Sequence, residues 1–426
     1  MSLSLRSRTT RLLAAGLTAA AALGLALTAP AGAAVEPPPY SGEPLDGRIT
    51  VVAHRGASSY VPEHTFPAND LAIEMDADML ECDVMLTEDE QLVCLHDTTI
   101  DRTARDPETG ERLTGSVDSY TLAELRAMDW GLWKGEEFAG ATIMPLAEQL
   151  MCYRAINPDI RFHLETKPSS PVGDQLLVDL LDRLGFIHEG AQPDPQHDQV
   201  MIQSFHADSL RRIKAIEPSL ATAYLGVTFP EGTIVPDTYD AVAPNYKQIL
   251  EDPAFVGRMH EQGIPVHTWT VDDRAVMDTL IGYGVDGIFS NKPDVARAAV
   301  DEAGLGIPAS ERGNPDAFAH GCEGIAGTVH SIDDVPITPA AIVGDAPGIV
   351  QPGRTVPVPF ELDLRGGDDA GAVQAEVTRP DGSVIAAEIR GGNILVHTAQ
   401  ALPGTYTIEV QDEVGFAIGE GTITTR

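Results

Sequence analysis

The chain has 426 residues, 43% of them hydrophobic, enough to bury a large core in two or three domains or in one large barrel with an appendage. Its formal charge of −36 repels nucleic acid and anionic lipid, which excludes a nucleic-acid partner. An anionic substrate would need a local positive centre, either a metal ion or a few arginines and lysines.

Residues 1–34 read as a secretory signal peptide. Arg6, Arg8 and Arg11 precede an apolar run from Leu12 to Leu27, and Ala31-Gly32-Ala33 offers a cleavage site. A retained membrane anchor is the alternative, although the run is short and alanine-rich for a span. Loss of the three arginines takes the formal charge from −36 to −39. The expectation is an exported protein, secreted or associated with the cell surface, with no integral membrane segment after processing. Residues 35–47, "VEPPPYSGEPLDG", form a Pro/Gly-rich lead-in.

Over residues 48–300, apolar runs alternate with helix-like segments. The expected strands are "ITVVAH" (49–54), "DMLECDVML" (78–86), "RFHLE" (161–165), "QVMIQ" (199–203), "ATAYL" (221–225), "YDAVA" (239–243), "PVHTW" (265–269) and "GIF" (287–289). Between them fall "PVGDQLLVDLLDRLG", "HADSLRRIKAIEP", "PAFVGRMHEQG" and "DDRAVMDTLIGYG", several ending in the glycine that commonly follows a helix. Eight strands, most followed by a helix, predict an α/β fold of the (β/α)8 TIM-barrel class. A doubly wound open sheet competes, but no Gly-rich nucleotide loop follows the first strand. The stretch after the second strand is too long for a turn and reads as a small insertion. Residues 301–336 read as a linker. Residues 337–426 carry short alternating runs separated by Gly, Asp and Pro, which predict a small all-β, immunoglobulin-like sandwich. Cys82, Cys94, Cys152 and Cys322 allow three full disulfide pairings in an oxidising compartment, and the spacing does not choose among them.

A (β/α)8 barrel places its active site at the C-terminal ends of its strands. His54 and Arg55 end the first strand. Glu81 and Asp83, two apart on the second, share one face, so Cys82 between them must turn towards the helix layer. His96 and Asp97 end the apolar run "LVCLHD" of the insertion. Glu165 ends the third strand with Lys167 beyond it, Gln203 ends the fourth and Trp269 the seventh. Singly, each suits a strand cap or a surface pair; jointly, they gather at one mouth. Three carboxylates without a thiolate suit one hard divalent cation, Ca²⁺ or Mg²⁺. Two histidines can exchange protons near neutral pH, and Arg55 and Lys167 supply charge for an oxyanion. That set is suited to phosphoryl transfer at a phosphodiester.

The blocks "AHRGASSYVPEHT", "LECDVMLTEDEQLVCLHDTTIDRT", "HLETK", "IQSFHADSLRRIKAIEP", "HTWTVDD" and "GVDGIFSNKPD" occur in this order, and the chain over roughly residues 49–300 resembles the glycerophosphodiester phosphodiesterases. The resemblance implies a metal-dependent hydrolase acting on deacylated phospholipids to give sn-glycerol 3-phosphate and an alcohol. It implies Glu81, Asp83 and Glu165 as metal ligands and His54 and His96 as the acid–base pair. Arg55, Lys167 and Trp269 would bind substrate, and Glu63 and Gln203 would support the site. One histidine would deprotonate the glycerol 2-hydroxyl, which attacks phosphorus, and the other would protonate the leaving alcohol before water opens the cyclic phosphate.

This chain departs from the family pattern at His64 and Asp272, where Asn is usual, and in "IMPLAE". An alternative activity is phospholipase D-like or lyase action on lysophospholipids or sphingolipids, which would stop at a cyclic phosphate. A third reading is a wall-associated binding protein whose barrel has lost catalysis, against which every proposed ligand and both histidines are present. The C-terminal domain is expected to contact the cell surface or the barrel.

Overall fold

A computed structural model describes residues 41–187, 190–226, 238–308 and parts of 322–425. The segment expected to be a signal peptide and most of the expected linker lie outside the described residues. No described helix is long and apolar enough to cross a membrane.

In chain order the elements of the first part are β1 (Thr50–Ala53), α1 (Phe66–Glu74), β2 (Met79–Leu86), β3 (Leu92–Cys94), α2 (Leu122–Arg126), β4 (Met144–Pro145), α3 (Leu146–Ile156), β5 (Arg161–Thr166), α4 (Pro171–Arg183), β6 (Val200–Ser204), α5 (Ala207–Ile216), β7 (Ala221–Tyr224), β8 (Ala241–Val242), α6 (Tyr246–Glu251), α7 (Phe255–His260), β9 (His267–Thr268), α8 (Arg274–Gly282), β10 (Gly287–Ser290) and α9 (Pro293–Glu302). Eight of the strands pair in parallel in the order β8-β7-β6-β5-β2-β1-β10-β9. The bridges Val242↔Val266 and Asn245↔Trp269 bring the two ends of that path together, giving a near-closed TIM barrel. All eight expected strands are present. Local chemistry sets the helix starts: Ser170 caps α4 ahead of Pro171, and Asp273 caps α8 by accepting from Val276 N–H.

Register decides what meets at the mouth. Asp83 pairs with Glu165, and Glu165 with Gln203, so three successive strands present these side chains in one layer. Glu81 pairs with His163 one layer below. Deeper still, Val52, Met79, Met201, Ala221, Ala223, Ala241 and Phe289 fill the barrel interior. Beside them lie two fully buried histidines, His163 and His267, with ring centroids 5.4 Å apart, and His163 packs 4.7 Å from Phe289.

β2 runs three residues past Asp83, because its last residues pair antiparallel with β3 through Val84↔Cys94, Met85↔Val93 and Leu86↔Leu92. The insertion after β2 is a folded unit with its own apolar cluster, which includes Val93, Leu95, Ile100, Leu122, Leu125 and Trp130. Cys82 turns towards the helix layer as expected, and bonds to Cys94. This bridge ties the strand that carries Glu81 and Asp83 to the strand that leads into His96.

The second disulfide joins Cys152 of α3 to Cys322. Nearby, the buried Glu148 accepts from the backbone N–H groups of Gly327 and Val329, while Arg126 donates to Val329 O and Arg183 to Val335 O. The described residues of the stretch that reads as a linker are therefore seated on the barrel. Beyond them a separate seven-stranded antiparallel sheet runs in the order Ala340–Val343, Thr355–Asp363, Asn393–His397, Val384–Ile389, Gln374–Thr378, Gly404–Gln411 and Ala417–Thr425. Alternate residues such as Tyr406, Ile408 and Val410 are buried, the period of two expected of a strand with one covered face.

Candidate active site

The sharp turn after β1 is the first part of the site. Arg55 and His64 both adopt left-handed backbone (φ 59° and 55°), as does Gly56 (φ 76°). A side chain at residue 56 would place its Cβ 2.6 Å from the Ala68 backbone, so only glycine fits. Left-handed backbone at two non-glycine residues is strain of the kind that functional loops hold. It turns the Arg55 N–H onto Glu81 Oε2 (2.7 Å), and the His64 N–H donates to Arg55 O (3.1 Å). Asn adopts this conformation more readily than His, so the turn suits the Asn that the resemblance leads one to expect at residue 64.

Glu81, Asp83 and Glu165 are all buried. His64 Nε2 lies 2.8 Å from Asp83 Oδ2, and one ligand atom each from His64, Glu81 and Asp83 falls within 4.8 Å of the others. Lys167 Nζ sits 3.1 Å from Glu165 Oε1 and 3.4 Å from Asp83 Oδ1, and Arg55 Nε 3.2 Å from Asp83 Oδ2. Burial, and then the neighbouring Asp83, push Glu165 up to about 8 and raise Glu81 well above the carboxylate range. Asp83 resists its own burial and is held well below that range by His64, Arg55 and Lys167. Three buried carboxyls this close cannot all ionise unaided. A hard divalent cation supplies the charge that would let them, so the donor set fits one. The sequence expectation placed Glu81, Asp83 and Glu165 around the ion; the ligand atoms that converge are those of Glu81, Asp83 and His64, with Glu165 linked to Asp83 through Lys167.

The two histidines stand on unlike supports. Burial, then the adjacent Arg55, lower His54 to about 4. Its Nδ1 lies 2.7 Å from the Asn291 side-chain oxygen. Burial also lowers His96, whose Nδ1 is 2.6 Å from Asp97 Oδ1. Arg102 donates from Nε to Asp97 Oδ2 (2.7 Å) and from its two other nitrogens to Glu63 (2.7 and 2.8 Å). Glu63 also accepts from Arg55 at 3.1 Å, and these two arginines hold it down at about 2 against its burial. Glu63 thus joins the β1 turn to the insertion rather than entering the ion cluster.

One cleft of about 460 Å³ is lined by His54, Arg55, Glu81, His96, Glu165, Lys167, Gln203 and Trp269, with Phe205, Leu225, Thr270 and Phe289. Of the expected site residues, Asp83 and Glu63 lie outside this lining, behind Arg55. Trp269 is fixed by Nε1 donating to Ala243 O at 2.6 Å, and Phe205, 46% exposed, stands edge-on to it at 5.4 Å. Sequence reasoning missed Phe205, Arg102 and Asn291. Arg102 and Asn291 lie inside the quoted blocks "HDTTIDRT" and "FSNKPD", which is the signal that could have found them.

Residues 54–295 match the model of the glycerophosphoryl diester phosphodiesterase family. The chain belongs to that family. A glycerophosphodiester phosphodiesterase of Bacillus subtilis is 30% identical over 265 residues, spanning 58% of this chain and 85% of that protein. One from Caldanaerobacter subterraneus is 33% identical over 267 residues, 60% of this chain and 100% of that protein. In three dimensions, an Oleispira antarctica phosphodiesterase solved with the product sn-glycerol 3-phosphate superposes with a TM-score of 0.51 at 25% identity, covering 60% of this chain and 98% of that one. Family membership makes the chain an enzyme of the phosphodiesterase class. It covers the barrel and stops short of the C-terminal sheet.

Proposed function

We propose that this phosphodiesterase hydrolyses glycerophosphodiesters to sn-glycerol 3-phosphate and an alcohol, with Glu81, Asp83 and Glu165, and His64 beside them, holding one Ca²⁺ or Mg²⁺. The observation that carries the reading is the single cleft shared by His54, His96, Arg55, Lys167 and two of the carboxyls. When bound, the cation would supply positive charge to the phosphoryl oxygens. Arg55 and Lys167 orient the phosphate from within the cleft. His54, with Nδ1 engaged, has Nε2 free to take the proton of the glycerol 2-hydroxyl as it attacks phosphorus. His96 is held at Nδ1 by Asp97, whose charge offsets part of the burial that lowers the ring, and its Nε2 gives a proton to the leaving alcohol. Exchange of these roles lets water open the cyclic phosphate. Trp269 and Phe205 wall the cleft on its apolar side. Two disulfides support an exported protein, since such bonds persist in oxidising compartments.

The test is release of sn-glycerol 3-phosphate from a panel of glycerophosphodiesters, after chelation and with Ca²⁺ or Mg²⁺ restored, beside Glu81→Ala and His54→Ala. Metal-dependent release lost in both variants is expected. Accumulation of a cyclic phosphate would replace the hydrolase with a lyase, and full turnover under chelation would remove the cation from the reading.

A further inference from the structure

His54 meets the cleft with one nitrogen already engaged, and the group that decides which one is two residues removed. Asn291 Oδ1 lies 2.7 Å from His54 Nδ1 and 2.8 Å from Ser58 Oγ, whose single hydrogen is shared between it and His54 O at 2.7 Å. The other end of that amide, Nδ2, donates to Asp272 Oδ2 at 2.7 Å. Asp272 Oδ1 accepts in addition from the Asn291 backbone N–H (2.8 Å) and from the Ser290 hydroxyl (3.1 Å). An ionised carboxylate only accepts, so the Asn291 amide has one stable orientation, with its NH₂ towards Asp272 and its carbonyl oxygen towards His54. A carbonyl oxygen also only accepts. The proton of a neutral His54 must therefore sit on Nδ1, leaving the lone pair on Nε2.

The geometry points to Asp272 as a positioning residue: acting through Asn291, it selects the His54 tautomer whose Nε2 can take a proton. Asp272 is absent from the cleft lining and acts only at a distance. A purely structural role is the competing account, because its bonds to the Asn291 backbone and to Ser290 also shape the turn after β10. The two accounts part on the imidazole. A turn-building residue leaves the ring's proton where it is; a tautomer-selecting one moves it when removed. The inference rests on His54 being the base, but its first readout needs no turnover.

The experiment is long-range ¹H–¹⁵N correlation on the metal-free full chain with ¹⁵N-labelled histidine near neutral pH, the His54 signals being assigned by their loss in His54→Gln. Wild type is expected to show the Nδ1–H form. In Asp272→Leu, which has no acceptor, the Asn291 amide is free to turn over, and Nε2–H signals appear. The kcat falls about tenfold or more while KM stays within about twofold, since a misplaced proton removes base catalysis and leaves binding alone. In Asp272→Asn one amide oxygen still faces Asn291 Nδ2, so the Nδ1–H form and most of the kcat return. An Nε2–H ring in the wild-type protein overturns the inference without any variant. So does a folded Asp272→Leu with unchanged His54 signals, whatever its rate. A tautomer that shifts as expected in a protein that hydrolyses no glycerophosphodiester keeps Asp272 in its role and removes the proposed reaction instead.

Discussion

Acidification from pH 7 to 5 should destabilise the barrel through the histidines inside it, and His267 gives the cleanest measure. The ring is fully buried, its Nδ1 makes no hydrogen bond among the described residues, and burial lowers it from 6.5 to about 3. Its folded pKa lies below its unfolded one, so the unfolded chain takes the proton first as pH falls. Stability is whole above about pH 6.5 and is lost between there and about pH 3, at up to about 1.4 kcal/mol per pH unit. By pH 5 the loss is about 2 kcal/mol, and by pH 3 about 4 kcal/mol, against a typical total of about 5–15 kcal/mol. Raised carboxyls such as Glu165 act in the opposite sense, so a wild-type curve alone would blur the effect. The comparison is with His267→Met, of similar volume and without a titrating group. Urea unfolding is followed by tryptophan fluorescence at pH 7, 6 and 5; all three tryptophans, Trp130, Trp133 and Trp269, precede residue 300. The variant's own offset cancels in the pH difference. Wild type should lose about 2 kcal/mol more than His267→Met between pH 7 and 5. Parallel curves would refute the reasoning, because they would mean the buried ring accepts its proton as readily as an exposed one.

Gly56→Ala meets both the left-handed backbone and the Ala68 wall; together these cost about 3 kcal/mol and should lower the melting temperature by about 10 °C in a thermal scan. The paired change Cys82→Ala with Cys94→Ala opens a bridge between residues 12 apart, worth about 3 kcal/mol of unfolding free energy in denaturant titration. Because that bridge also holds His96 against the carboxyl-bearing strand, kcat should fall with it, and an unchanged kcat would show that the insertion keeps its place unaided. Arg102→Gln removes the donor that joins Asp97 to Glu63, so steady-state assays should show kcat reduced about tenfold with a smaller change in KM.

The barrel was legible because its strands are short apolar runs, and the strand-end polar residues His54, Glu165, Gln203 and Trp269 followed from where those runs stop. Glu81 and Asp83 were legible from alternation alone, and so was the outward turn of Cys82. What was hidden depends on contacts between distant segments. Arg102 reaches Glu63 across 39 residues, and Asn291 reaches His54 across 237. Neither approach has a periodicity to read. His64 stood out only as an unexpected residue; its place beside Asp83 follows from a left-handed turn that side-chain patterns do not encode. The cysteine pairing was open for the same reason, since Cys322 meets Cys152 of α3 across 170 residues. The insertion looked like an irregular loop because its core is assembled from single apolar residues spread over turns rather than from a repeating face.

The Cys152–Cys322 bond closes a ring across 170 residues of the chain. Tension drawn between the two ends of the molecule would run from the N-terminal segment into α3, cross the two sulfurs and leave through the C-terminal sheet. The stretch from 153 to 321, which carries Glu165, Lys167, Gln203, Trp269 and Asn291, hangs beside that covalent line and feels the pull only through its strand pairs, β5 on β2 and β10 on β1. For a protein fastened at one end and tugged at the other, the six barrel strands that lie within the ring could not be drawn out into extended chain until a reductant cut the shortcut.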